Sequence, residues 1–371
     1  MSMQRIANYG SFLQAYALKQ LIEELDCKVE FVDYHVGAPV IAENADSKNK
    51  FVRKLEKGLE TFRYQVPFSH KLAFIQYKQS FGKKYMPLLG ITDMMNYHPA
   101  LDCLVIGSDE VFNCIQKNSN VGYSPELFGK EHNAKRLITY AASFGNTTLE
   151  KLDKYKKADE IGTLLKRFDA ISVRDANSGA IVEQLTGKEP VYNLDPVLTY
   201  DYMNCCDKIP QLRADGKYLI LYAYAGRISN DEADWIAAYA KKKKLKVYAI
   251  GGIQKSADRF VDCSPFEVLA YFKNAEEVIT DTFHGSIFSV ITHRPFTTLI
   301  RKSVGSSYGN EEKLSDLLNR LGLSARMTTK IEDAENINTQ PIDYVEVDGI
   351  LQKQRTIARA YLRENIGVLE E

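Results

Sequence analysis

Apolar residues along the chain recur at two periods, helical and alternating. Over 12–25, Leu13, Ala17, Leu18, Leu21 and Leu25 recur at three and four residues and predict a helix with one apolar face. Val29, Phe31, Val32 and Tyr34 predict a strand over 28–34. The run 101–106 reads as a buried strand that ends on Gly107, Ser108, Asp109 and Glu110. Strands follow at 136–142, 170–173 and 191–194, with helices at 149–168 and 178–185. Strands that end in polar or Gly-containing loops, with helices between them, predict a parallel, doubly wound sheet. A turn at Asn8, Tyr9, Gly10 and Ser11 opens the first helix. A strand normally precedes such a turn, and here only seven residues precede Asn8.

The stretch 200–216 is irregular and polar and contains Pro210, so the domain boundary is expected there. A second set of units follows: strands at 218–224 and 246–250, helices at 231–243 and 265–272, and a strand at 278–280. After a polar break, Ile287, Phe288, Val290 and Ile291 return at helical spacing, and Pro295 ends that helix. A strand at 297–300, a helix at 313–321 and a final helix at 344–366 complete the pattern. The expected organisation is two Rossmann-type domains, 1–205 and 206–345, with 346–371 crossing back to the first. Within 47–90, helical spacing at 55–62 and 72–81 accompanies many Lys, Phe and Tyr residues. This pair is expected to cover a sheet, with peripheral membrane contact as the alternative.

Composition narrows the function classes. A chain of 371 residues exceeds one ordinary hydrophobic core. Lys plus Arg and Asp plus Glu both number 48, and this balance argues against nucleic acid as a partner. No apolar run is long enough to span a bilayer, and the first residues form no apolar leader. The six Cys are scattered without a Cys-x-x-Cys pair, as expected for reduced thiols in a cytoplasmic protein, including one at the inner membrane face. No nucleotide-binding or hydrolase motif occurs, and no His, Asp and Glu group has metal-ligand spacing, so neither metal nor cofactor is expected.

The candidate chemistry centres on Asp281, Thr282, Phe283, His284, Gly285 and Ser286, between a strand and the first turn of a helix. Free N–H groups at a helix start attract anions, and Gly285 lets a ligand approach. His284 puts a titratable imidazole at the edge of that anion seat. A packed, hydrogen-bonded histidine is the plainer reading of the same residue. Arg174, after a buried strand, can pair bidentately with a carboxylate or phosphate, or serve as an internal ion pair.

The segments Asn8-Tyr9-Gly10, Val105-Ile106-Gly107-Ser108-Asp109-Glu110-Val111-Phe112-Asn113, Tyr140-Ala141-Ala142-Ser143-Phe144-Gly145, Ser172-Val173-Arg174-Asp175, Asp195-Pro196 and Thr280-Asp281-Thr282-Phe283-His284-Gly285 appear in the order found in the polysaccharide pyruvyl transferase family. The chain resembles that family over nearly its whole length. The resemblance implies a GT-B-like fold, two α/β domains with a central cleft. It implies transfer of pyruvate from phosphoenolpyruvate, the donor substrate, onto two hydroxyls of a sugar or lipid-linked glycan acceptor. His284 would be the general acid, Arg174 a donor contact, and Gly107, Ser108, Asp109 and Asn113 the acceptor side. Asp109 would orient or deprotonate a hydroxyl, or simply make a loop hydrogen bond. Asn8, Tyr9, Gly10 and Ser143 complete the implied site. Thr282 stands where better-studied members carry Arg, and Arg227, Arg301 and Lys313 are the candidate replacements. A nucleotide-sugar glycosyltransferase and a non-catalytic glycan-binding relative are the alternatives.

Overall fold

Parallel strand pairing organises both halves of the chain. The computed structural model describes residues 1–41, 61–116, 121–212, 216–301 and 310–367. Four parallel strands form the first sheet: β1 (Ala100–Asp109), β2 (Asn133–Ala142), β3 (Ser172–Val173) and β4 (Val191–Tyr192), in that spatial order. Six form the second: β5 (Tyr218–Tyr222), β6 (Lys246–Ile250), β7 (Arg259–Phe260), β8 (Glu277–Thr280), β9 (Phe296–Leu299) and β10 (Met327–Thr328). Their order is β10-β9-β8-β5-β6-β7, all parallel. The chain builds outward from β5 in one direction, then returns to build outward from β8 in the other. The reversal puts a crevice beyond the carboxyl ends of β5 and β8, where open α/β sheets hold ligands.

Helix α1 (Tyr9–Glu23) is buried along most of its length, and Asn8 caps it by accepting from the Ser11 N–H. It lies between the two sheets. Tyr9 donates to the Cys263 carbonyl at 2.9 Å, and Phe12 and Tyr16 pack on Phe266. Helix α2 (Phe68–Tyr85) buries Tyr77 and Phe81 against Tyr9 and Phe260, which is the covering role; Phe68 and Leu72 remain exposed. The earlier part of that expected pair, 55–60, lies outside the described residues. No helix among the described residues is long and apolar enough to cross a membrane.

Two local expectations are corrected. Residues 28–34 form no strand. A cavity of about 500 Å³ is lined by both 27–32 and β1, and no ladder joins the two. The Phe31 and Val32 carbonyls accept instead from Asn96 Nδ2 and Gln4 Nε2. No strand precedes Asn8 among the described residues; Met1 bonds to β1 through Val105 and Gly107. The single helix expected at 149–168 is two, α3 (Leu149–Lys154) and α4 (Ala158–Leu165), because Lys156 adopts a left-handed φ of 54°.

The first lobe continues through α5 (Ala176–Thr186), α6 (Pro196–Thr199) and α7 (Tyr202–Cys205). The second carries α8 (Asn230–Lys243), α9 (Pro265–Asn274), α10 (Phe283–Ile291), α11 (Glu311–Arg320) and α12 (Ala334–Thr339). The last helix, α13 (Tyr344–Ile366), returns to the first sheet. Tyr361 donates to the Thr139 carbonyl of β2 at 2.8 Å, and Arg355 and Arg359 pair with Asp201 and Glu24. Leu362 is fully buried in this contact, whereas Val345 on the same helix is 85% exposed. Leu362→Ala is therefore expected to cost about 2–5 kcal/mol in urea unfolding, and Val345→Ala less than about 0.5 kcal/mol.

Candidate active site

The strand-to-helix turn after β8 sets the geometry. Thr282 caps α10, its hydroxyl accepting from the Gly285 N–H at 2.9 Å. Any side chain at Gly285 would collide with the Thr280 hydroxyl, so this tight turn requires glycine there. The turn places His284 at the second position of α10, on the floor of a cavity of about 460 Å³ between the two lobes. Gly10, at the start of α1, packs directly on the imidazole; a Cβ there would lie well inside contact distance of Nδ1.

The first lobe supplies the opposing charges. Arg174, just after β3, donates to Asp195 at 2.8 Å and to Asp109 at 3.2 Å. Its guanidinium lies 4.4 Å from the centre of the Phe283 ring, a cation–π contact across the lobes. Burial alone would lower the Arg174 pKa, but Asp109 and Asp195 more than offset it, and the net shift is upward. Asp195 is fully buried; one oxygen caps α6 at Val197 N, and the other serves Arg174. That second oxygen lies 3.7 Å from His284 Nε2, too long for a hydrogen bond, and Nε2 has no hydrogen-bond partner. Burial lowers the His284 pKa, with Asp195 and Asp109 opposing the shift. Burial thus favours the neutral imidazole, and its Nε2 is shut off from solvent on the Asp195 side.

The cavity brings together His284, Asp109, Arg174, Asn8, Gly10, Asn113, Asp281 and Thr282. The other residues expected at the site lie outside its lining, each with a packing reason. Tyr9 is buried against α2 and donates to Cys263. Gly107 packs on the Tyr140 carbonyl, where only a missing side chain fits. Ser108 donates to the Ala141 carbonyl and Ser143 to Asp175. Gly285 forms the tight turn, and Ser286 donates to the Thr282 carbonyl at the start of α10 and meets the Thr298 hydroxyl of β9. These residues support the site from behind.

Of the candidate replacement cations, Arg227 and Lys313 line the cavity. Arg301 is held away from it by a bidentate pair with Glu232 at 2.6 and 3.1 Å. Arg227 sits 3.7 Å from Asp281 and stacks on Tyr224; Lys313 reaches Glu110 of the first lobe at 2.8 Å. Both Asp281 oxygens are buried without a hydrogen bond, and burial raises the pKa of this acid against the pull of Arg227 and Arg301. Sequence reasoning missed Lys78, Ser11, Tyr224 and Asn310. Lys78 belongs to a Lys-rich helix in which nothing local marks it; burial lowers its pKa. Ser11 follows the Asn8-Tyr9-Gly10 turn and donates to Asp109 at 3.0 Å, so the turn itself was its signal.

Because Gly10 leaves no spare volume beside His284, Gly10→Ala is expected to displace the imidazole. A cost of about 1–3 kcal/mol should appear in denaturant unfolding, with a changed His284 titration by NMR.

The polysaccharide pyruvyl transferase family model matches residues 8–303. Among curated proteins none matches the chain. Of the solved structures, the glycotransferase of kitacinnamycin is similar at 9% identity and a TM-score of 0.43, over 95% of this chain and 92% of that one. The OtsA apo structure is similar at 10% identity and a TM-score of 0.39, over 66% and 70% of the two chains. A mutant of the Thermobaculum terrenum O-GlcNAc transferase is similar at 15% identity and a TM-score of 0.32, over 72% of this chain and 49% of that one. This chain spans about half the length of that transferase. With a family match running from residue 8 to residue 303, the chain belongs to the polysaccharide pyruvyl transferase family.

Proposed function

We propose that the chain transfers pyruvate from phosphoenolpyruvate to two hydroxyls of a sugar in a cell-surface polysaccharide or its precursor, forming a ketal and releasing phosphate. The observation that carries this reading is His284: an imidazole whose burial favours the neutral form, at a helix start, lining a cavity that Arg227 and Lys313 also line. Phosphoenolpyruvate is a compact polyanion, and those two cations suit its phosphate and carboxylate. They would replace the charge that Thr282 does not carry. Cytoplasmic action on a free or lipid-linked precursor belongs to the same proposal.

A bound polyanion raises the proton affinity of a nearby imidazole, so His284 would acquire its proton as the donor binds. It would then deliver that proton to the donor methylene carbon. The first sugar hydroxyl forms a bond to the adjacent carbon and gives up its proton. The carbon–oxygen bond to phosphate breaks, and the second hydroxyl closes the ketal. Of the two hydroxyl protons, one balances the new methyl group and the other leaves with phosphate. Asp109 already holds Arg174 and Ser11, so its proposed part is to position the guanidinium and the acceptor wall.

His284→Ala should keep donor binding and lose turnover by about 10²–10⁴-fold. Undiminished turnover in that variant would refute the general-acid role. Donor binding near neutral pH should take up a proton, read by calorimetry in buffers of different ionisation enthalpy, and His284→Ala should abolish the uptake. A thermal-shift panel separates the donor classes: stabilisation by phosphoenolpyruvate supports the proposal, whereas stabilisation by nucleotide sugars alone indicates a glycosyltransferase.

A further inference from the structure

His35, His98 and Glu126 converge on the first lobe from three separate segments, away from the cavity of His284. Their ligand-capable atoms all lie within 4.8 Å of one another. His35 Nδ1 is 2.8 Å from one Glu126 oxygen, and His98 Nε2 is 3.9 Å from the other. No local pattern marks this group, because His35 and Glu126 are 91 positions apart.

The surrounding bonds hold the three in register. The segments carrying the two histidines are already joined: Asp33 N donates to the Asn96 carbonyl at 2.8 Å, and Asn96 N donates to the Asp33 carboxylate at 2.9 Å. Arg5 clamps that carboxylate from outside. The His35 ring stacks on Tyr97 with centroids 3.9 Å apart, and its backbone N–H donates to Glu126 at 3.2 Å. Asn133 fixes the His98 carbonyl at 2.8 Å. Glu126 sits on a short 3-10 helix anchored by the buried Leu127 and Phe128. Glu126 is thus held from the interior, while the His35 side chain is 60% exposed and can adjust.

We propose that His35, His98 and Glu126 form a binding site for a first-row divalent cation of the zinc type. Two imidazoles and one carboxylate make a donor set that suits zinc, cobalt or nickel and disfavours magnesium and calcium. Ligand bonds of about 2.0–2.2 Å need donor atoms closer together than the widest pair here, by roughly an ångström. The exposed His35 ring can supply that movement. Three protein ligands leave room for water, as in an open zinc site. The ion would brace a wall of the active cavity. The backbones of Gly37 and Gly122 touch, and Val121, beside Gly122, lines the cavity.

The test uses the full chain, stripped with a chelator and titrated with Zn²⁺, Co²⁺ or Mg²⁺. Zn²⁺ should raise the Tm saturably, and Co²⁺ should give visible ligand-field absorption. His98→Ala and Glu126→Gln, each checked for native far-UV circular dichroism, should weaken binding by at least about tenfold. His132→Ala, a neighbouring histidine outside the group, should bind as wild type. Absence of the Co²⁺ absorption in wild type would overturn the site and leave His35 and Glu126 as a surface hydrogen-bonded pair. A Zn²⁺ shift retained in both ligand variants, or matched by Mg²⁺, would overturn it equally.

Discussion

One buried carboxylate oxygen of Asp195 faces a guanidinium on one side and an imidazole on the other. Arg174 reaches it from the first lobe and His284 from the second, so the charge balance of the site is divided between the lobes. Withdrawing charges into a protein interior is costly, and a buried pair survives when every partner is in place. Here Asp109 and Asp195 share Arg174, and Ser11 and Val197 occupy remaining carboxylate lone pairs. The unmet bond in this cluster is at His284 Nε2. That nitrogen is shut off from solvent, and His284 meets the cavity through the rest of its ring.

Parallel topology delivers these groups to one place. In each sheet the carboxyl ends of the strands share an edge. Asp109 follows from β1, Arg174 from β3, Tyr222 and Tyr224 from β5, and Asp281 from β8. The reversal of strand order between β5 and β8 opens the crevice that α1 closes from the other side. The floor is close-packed because Gly10 lets main chain and imidazole touch and Gly285 lets the turn close on Thr280.

Much of this was legible in the residues. Strand β6 at 246–250 and helix α13 at 344–366 fall where their patterns put them, because β6 is a continuous run buried on both faces and α13 buries one regular face. The turn at 281–285 announced a helix start through its Thr, Gly and following apolar spacing. Residues 28–34 misled because alternation states which way side chains point but not whether a partner strand is within reach. Ser143, Ser286 and Gly107 misled differently: small polar residues near a ligand loop are also what close packing behind that loop requires. Lys78 and the His35, His98 and Glu126 group were invisible for a third reason. Their proximity is created by segments distant in sequence, and no local pattern encodes it.

Helix α13 follows the second lobe in the chain yet fastens to β2 through Tyr361 and to α1 through Arg359 and Glu24. The polypeptide therefore passes from the first sheet to the second and then returns to seal the first. Neither half can melt and leave the other with its contacts intact. Heat or denaturant should meet a single cooperative block, even though the architecture looks bipartite.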